Sequence, residues 1–485
     1  MILGSNSIFS YYIDKENRPL KKGECHVRVG DFSVYISSQT LYEIREEDNV
    51  TCLIIGVATC VSQDINGLDW MWKHCDSIES FIEAEKCLGG KYILFLRIKE
   101  QYYVMGDATC SIPVFYTTVG EDVMCSSYAY QIASEMSLSP DKALLKIRES
   151  GDSSHIMPYN YTIWKGIKRL LPNHYLHLNG KKAFRIVNHQ SVQSVLTAEE
   201  AAEKTLPYMK RLADFYSEKF SVACALTSGR DSRAVLAVLG CNKQMPVYTI
   251  KHEEFGESTP DIVVPKLIAE HIDLNYQQIK DVELKATDIA EADAVLGKHN
   301  YSKRTLMLAH TIKYHFSENA VINGDIIGQV GKCSLHRDIP LCFATPSYFL
   351  CKLHNYSKEA KEGLGLWMQE IDRSDEHVNS FDLFSIENRM GVWAANENEI
   401  YNMVGQYYLN IFNSRSIIYE WTRVDRKERK LSAIHQSIIR MIHPELLEIP
   451  FEPAGIFEKI AKNNGISYLI ASYLKYYLGK IKYRK

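Results

Sequence analysis

The sequence predicts an α/β chain: a strand-rich first part, then a doubly wound parallel sheet, then a helical C-terminal part. Three observations carry this. Short β-branched and aromatic runs crowd the first 188 residues. Buried-type strands then alternate with helical spacings from about residue 197. After residue 380 the patterning is almost wholly helical.

In the first part, Val34-Tyr35-Ile36, Thr51–Val57, Tyr92–Ile98 and Tyr102–Met105 read as strands broken by Gly, Asp and Asn. Gly89-Gly90 leads into one of them, and Gly106-Asp107 leaves another. Thr162–Leu176 alternates around Pro172-Asn173, which predicts a strand pair closing this part. In the second part, Ala201–Tyr216 carries helical spacing. Phe220–Leu226 is a short apolar run of the kind buried on both faces of a parallel sheet. A helix over Arg233–Leu239, a strand over Val247–Ile250, a helix over Asp261–His271 and a strand over Ala320–Ile322 follow. The boundaries expected are 1–190 and 191–485.

Composition narrows the function classes. With 485 residues, 46% hydrophobic and 24% charged, the chain can bury large cores without disulfides or structural metals. Its net charge of −3 argues against a general nucleic-acid binder. The start Met1–Asn6 has no basic segment and no apolar core of a signal peptide, and no stretch of about 18 apolar residues follows. A cytoplasmic protein with no membrane span is expected. Twelve dispersed cysteines show no zinc spacing and read as reduced, mostly buried thiols. The basic, Tyr-rich Lys475–Lys485 segment reads as a solvated helix end.

Leu226-Thr227-Ser228-Gly229-Arg230-Asp231-Ser232-Arg233 lies between a buried strand and a helix. Backbone N–H groups and a helix N-terminus converge at such a junction and favour an anion. Thr227, Ser228 and Ser232 add hydroxyls, and Gly229 permits close approach. Asp231 would repel a phosphate unless a cation lay between them, which points to Mg2+ and a pyrophosphate. The loop has no Gly-Lys-Ser/Thr of a Walker A motif. A capped polar turn is the structural alternative.

Thr227–Ser232 resembles the pyrophosphate loop, Ser-Gly-Gly-x-Asp-Ser, of the asparagine synthetase family and other N-type ATP pyrophosphatases. Gly89-Gly90-Lys91-Tyr92, Gly106-Asp107, Pro113–Tyr116 and Cys125-Ser126-Ser127 are similar to that family's class II glutaminase path. Thr162–Leu176 resembles its closing segment, and Ser258–His271 its helix after the second strand. The resemblance covers most of residues 1–335. It implies an Ntn-hydrolase-like αββα sandwich followed by a PP-loop (adenine nucleotide α-hydrolase) synthetase domain. It also implies ATP and Mg2+ as cofactors. Thr227, Ser228, Gly229, Asp231, Ser232, Thr249, Ile250 and Gly324 would hold the nucleotide, Asp231 and Asp325 the metal, and Asp231, Arg230 and Lys459 would be catalytic.

Three departures qualify the resemblance. The family's glutaminases use a cysteine at position 2, where this sequence has Ile2, so no glutaminase activity is expected; Cys25 reads as structural. Family members lacking that cysteine include β-lactam synthetases and lasso-peptide cyclases. In Val321–Lys332 the family's metal-binding Asp falls on Gly328 and its neighbouring Glu on Gln329, leaving Asp325. The family's late lysine has no clear match: Lys427, Lys430, Lys459 and Lys462 are candidates, with Arg389 and Arg440 as cationic substitutes. Glu387-Asn388-Arg389 reads as a substrate-facing patch, and His435 and His443 as packing residues.

The activity this implies is ATP-dependent amide-bond formation through an acyl-adenylate, releasing AMP and pyrophosphate. The substrates would be a small-molecule or peptide carboxylate and an amine, with ammonia, if used, delivered by another protein. The alternatives are a PP-loop thiolation enzyme and a non-catalytic accessory member.

Overall fold

The computed structural model describes residues 7–120, 122–150, 156–186, 194–298, 300–372, 378–451, 459 and 463–483. Seventeen strands are found among them, in three sheets. The strands are β1 (Tyr11–Asp14), β2 (Glu24–Val29), β3 (Phe32–Ser37), β4 (Tyr42–Glu47), β5 (Val50–Cys60), β6 (Leu88–Ile98), β7 (Gln101–Gly106), β8 (Phe115–Thr117), β9 (Cys125–Ser126), β10 (Ile167–Arg169), β11 (His174–His177), β12 (Lys182–Arg185), β13 (Ser221–Ala225), β14 (Val247–Lys251), β15 (Tyr276–Lys280), β16 (Asn319–Ile322) and β17 (Tyr408–Leu409).

Two six-stranded antiparallel sheets, β10-β8-β9-β1-β3-β2 and β12-β11-β7-β6-β5-β4, use the first part of the chain. Their inner faces meet where Phe32 of β3 packs edge-on against Phe95 of β6, with ring centroids 6.0 Å apart. The longest pairing, β5 with β6, runs from Val50 opposite Ile98 to Cys60 opposite Leu88. It explains Gly90. Its φ is +146°, and a Cβ there would lie 2.1 Å from the Val57 carbonyl oxygen, so only glycine fits.

The predicted strand pair over Thr162–Leu176 does not form. β10 pairs with β8 in one sheet, while β11 pairs with β7 and β12 in the other. The chain changes sheets at Leu170–Asn173, and Asn173 takes the left-handed conformation (φ +62°). Asparagine tolerates that conformation better than other non-glycine residues.

The third sheet is parallel, in the order β15-β14-β13-β16-β17. The helices Arg230–Val238 and Pro260–Ile272 connect β13 to β14 and β14 to β15. Two strands were not read from the sequence. β15 is a polar edge strand (Tyr-Gln-Gln-Ile-Lys), and β17 is only two residues long. The helix Ala198–Lys219 opens this part with a capping box between Thr197 and Glu200. All twelve cysteines are free thiols; Cys342 is exposed, and Cys25 sits in β2 opposite Ile36.

Buried charges join the antiparallel part to the helices after residue 380. Arg415 donates to Glu85, to Asn173 Oδ1 at 2.9 Å and to the Gly106 carbonyl at 3.3 Å. Glu387 takes both Nη groups of Arg185 at 2.6 and 2.8 Å, and also accepts from Trp367 and Asn173. Glu387 is fully buried, so it is a structural anchor and not the substrate-facing residue read from the sequence. Replacing Arg415 by alanine strands a buried carboxylate. It should cost roughly 3–5 kcal/mol of unfolding free energy, read by urea titration, and Arg415→Met with Glu85→Gln should cost less than Arg415→Ala.

Candidate functional site

The chain reverses direction between β13 and β16. From β13 it winds outward through β14 to β15, then returns to lay β16 on the other side of β13. In open parallel sheets the crevice beyond the strand C-termini at such a reversal is where ligands bind. Two loops flank it. Leu226–Gly229 follows β13 and enters the helix Arg230–Val238, and Asn323–Asp325 follows β16. The loops touch: a Cβ on Gly324 would lie 3.3 Å from the Asp231 carbonyl oxygen.

Within the first loop, Thr227 N–H donates to Ser232 Oγ at 3.0 Å, and their hydroxyls are 3.1 Å apart. Gly229 caps the helix and donates to Thr227 Oγ1 at 3.3 Å. Thr227 is exposed, and Gly229, Arg230, Asp231 and Ser232 are half-buried around the helix start. That end carries the partial positive charge of the helix. Ser228 differs. It is buried, and both its N–H and its hydroxyl go to Asp261 Oδ1, at 2.8 and 2.6 Å. It braces the loop against the helix Pro260–Ile272 and would have to exchange partners to meet a ligand. Thr249 hydrogen-bonds the Leu226 carbonyl at 2.6 Å, while its neighbour Ile250 on β14 is half-buried.

Arg233, which the sequence reading placed only in a helix, holds the loop from below. Its fully buried guanidinium donates to the carbonyls of Ser228, Leu446, Ile449 and Pro450. Arg230 and Arg233 each lie 4.1 Å from the Phe451 ring centroid.

Asp231 faces across the crevice. Its Oδ1 is 2.8 Å from His435 Nε2, and its side chain keeps 40% of its surface open. Burial pushes its acid up, but the His435 hydrogen bond and charge, then Lys332 and Arg230, outweigh that and lower it. His435 is fully buried, so it is a packing residue as read, and also the direct partner of Asp231. Gly328 occupies the adjoining space, where a Cβ would stand 2.7 Å from Asp231 Oδ2. The position at which the resemblance places a metal carboxylate therefore faces Asp231 and bears no side chain.

Asp325 lies in reach of the same charge. Burial first, and then Asp231, raise its acid to about 6. Glu397, on the helix Ala395–Met403, is raised to about 8 by burial and then by Asp325, with Arg389 opposing. Beside them a cavity of about 20 Å3, enough for one water, is lined by Asp325, Asn323, Asn398 and Lys91. The buried Lys91 ammonium donates to Asn398 Oδ1 at 2.6 Å and to the Tyr408 carbonyl at 3.1 Å, and burial lowers its proton affinity to about 7.

Among the described residues no group of three or more His, Cys, Asp or Glu side chains is arranged to hold a metal. Asp231 and Asp325 still suit a weaker role. Mg2+ commonly takes one or two carboxylates and completes its shell with phosphate oxygens and water. Two neighbouring carboxylates, one of them held up at about 6 by burial and then by the other's charge, fit that pattern.

The candidate late cations are scattered. Lys459 and Lys427 are exposed, Lys430 is paired with Asp338 at 2.8 Å, Arg440 is exposed, and Lys462 lies outside the described residues. Arg389 stacks 3.9 Å from Trp393 and acts electrostatically on Asp325 and Glu397. The cations acting on Asp231 are Lys332 and Arg230.

No family model and no curated protein matches the chain. Among solved structures it is similar to the glutamine phosphoribosylpyrophosphate amidotransferase from B. subtilis complexed with ADP and GMP. That match has 12% identity and a TM-score of 0.23, covering 59% of this chain and 63% of that one. A structure described as the allosteric regulatory enzyme of purine biosynthesis matches at 10% identity and a TM-score of 0.24, over 59% and 62%. The match thus spans less than two thirds of either protein, and at such scores the site rests on its own geometry. No described helix is long and apolar enough to cross a membrane.

Asp325 and Glu397 hold protons in the folded chain that the unfolded chain releases at ordinary carboxylate values near 4. Their contribution to stability is therefore full at low pH and falls as pH rises, through about 6 for Asp325 and about 8 for Glu397. Glu397→Gln should gain stability relative to wild type as pH rises from 5 to 8, on the order of 1 kcal/mol per pH unit. Urea unfolding of both proteins across that range measures the difference.

Proposed function

We propose that this chain binds ATP with Mg2+ in the crevice between β13 and β16 and forms an amide bond through an acyl-adenylate. The observation that carries the reading is the placement of the Thr227–Ser232 loop at the point where the parallel sheet reverses, with Asp231 beside Asn323–Asp325. The resemblance to asparagine synthetase-type PP-loop enzymes agrees with that placement, the first part being the Ntn-like sandwich and the second the synthetase domain.

In this reading the N–H groups of the first helical turn, with Thr227, Gly229 and Ser232, hold the pyrophosphate portion. Strand β14 at Thr249-Ile250 lies beside the base. Asp231 and Asp325 would hold Mg2+, which when bound neutralises charge on departing pyrophosphate. His435 fixes the Asp231 carboxylate in one orientation. Lys332 and Arg230 supply positive potential at the same carboxylate, and Lys332 takes the place that the sequence reading gave to Lys459. The acid and amine are small-molecule or peptide groups entering from the side of residues 320–400.

A second reading is a nucleotide-binding member without ligase activity. It is favoured by Gly328, which leaves Asp231 with a histidine neighbour instead of another carboxylate. Calorimetry with ATP and Mg2+, followed by ATP–pyrophosphate exchange with candidate acids, separates the two. Both readings expect Mg2+-dependent ATP binding that weakens at least about tenfold in Asp231→Asn. Only the first expects exchange, and a stable ADP product would contradict it. Because Mg2+ must displace the proton that Asp325 holds at about 6, Mg–ATP affinity should rise more steeply between pH 5 and 7 in wild type than in Asp325→Asn, where only the terminal phosphate of ATP still titrates.

A further inference from the structure

The helix Gly465–Tyr483 has two unlike faces. One docks on the molecule. Leu469, Ser472 and Tyr476, spaced three and four residues apart, are buried there. The Tyr476 hydroxyl donates to the Asn355 carbonyl at 2.8 Å, and Lys352 donates to Ser472 Oγ at 2.7 Å. Gly479 closes the contact, since a Cβ there would lie 2.5 Å from the Tyr356 hydroxyl.

The opposite face is apolar and open. Ile466, Ile470, Leu474, Tyr477, Leu478 and Ile481 recur at helical spacing, each between 42 and 68% exposed. They form a stripe about 22 Å long. Single exposed apolar side chains are ordinary on a surface, but a continuous stripe marks an interaction site. Cations border it. By helical spacing Lys475 falls beyond Leu478 on one margin and Lys480 beyond Ile466 on the other. Lys482 belongs to the same helix, and the sequence has no Asp or Glu from residue 459 to 485. Asp338, which abuts Gly465, is paired with Lys430 at 2.8 Å.

We propose that this face binds the surface of an anionic lipid bilayer, with the helix lying parallel to the membrane plane. The stripe enters the boundary between headgroups and acyl chains, while the lysines on both margins meet lipid phosphates. Tyr477 suits that boundary, which accommodates both an apolar ring and a polar hydroxyl. The buried face keeps its contacts, so binding needs no unfolding of the helix. The helix lies on the bilayer; no described helix is long and apolar enough to cross one. Charge favours this occupant over a second copy of the chain. Pairing the face with itself would set lysines against lysines, with no acid on either helix to offset them.

Flotation of the full chain with vesicles of phosphatidylcholine alone, or of phosphatidylcholine mixed with phosphatidylglycerol, tests this. The partition coefficient should be at least about tenfold higher on the mixed vesicles and should fall as salt is raised. Leu474→Gln with Leu478→Gln should lower it by at least about tenfold. Both side chains are exposed, so the thermal midpoint should stay near that of wild type. Lys475→Gln with Lys480→Gln should remove most of the preference for anionic vesicles, and keeps the test valid if the leucine variant misfolds. Absence of binding by wild type, equal binding to the two vesicles, wild-type partition in the leucine variant or an undiminished preference in the lysine variant would each overturn the proposal. So would a wild-type dimer that the leucine substitutions dissociate, which would assign the face to a second copy.

Discussion

Asn173 joins two buried ion pairs, and through them the antiparallel part of the chain is held against the helices that follow residue 380. Its carboxamide oxygen accepts from Arg415 and Tyr419, and its amide donates to Glu387. Arg415 pairs with Glu85, and Glu387 with Arg185. Each charge is removed from water, a cost that the ion pairs offset only because nearly every lone pair is met. The network depends on the left-handed turn at Asn173, the turn at which the chain changes sheets.

The same device recurs around the crevice. Arg233 and Arg429 are both fully buried. Arg233 ties the Ser228 carbonyl to the segment near Pro450, while Arg429 joins Asp382 to the Val330 carbonyl in the helical turn Ile327–Gly331 beyond β16. The first loop flanking the crevice is thus tied by a guanidinium group that meets its backbone carbonyl, and the turn that follows the second is held in the same way. Such anchoring holds the polar groups of Thr227, Gly229 and Ser232 in place before any ligand arrives, which lowers the ordering cost of binding.

Asp231 shows how the local chemistry departs from a simple metal carboxylate. His435 takes one oxygen, and the backbone of Gly328 packs beside the other too closely for a Cβ. Asp325 and Glu397 form a second acidic centre nearby, both raised by burial, Asp325 further by Asp231 and Glu397 further by Asp325, and both restrained by Arg389. Lys91, lowered to about 7 by burial, lines the same small cavity as Asp325. Titratable groups displaced from their ordinary values in one crevice are a common mark of a functional site.

The sequence by itself determined the local elements and the position of the loop. The apolar run Phe220–Leu226, the helices read over Arg233–Leu239 and Asp261–His271, and the glycines at 89 and 90 follow from short-range chemistry that patterning reveals. Polar β15 and two-residue β17 escaped because neither carries a strand's apolar alternation. The assignment of Thr162–Leu176 to one hairpin failed because its two strands find partners in different sheets. Only the tertiary structure decided that His435, 204 residues away, meets Asp231, that Ser228 spends its donors on Asp261, and that Lys332 lies in electrostatic reach of the site. Those pairings join the loop and helix after β13 to the helix Pro260–Ile272 after β14, to the late helix Ala433–Ile442 and to the segment after β16. Spacing along the chain carries no record of a contact made across a sheet.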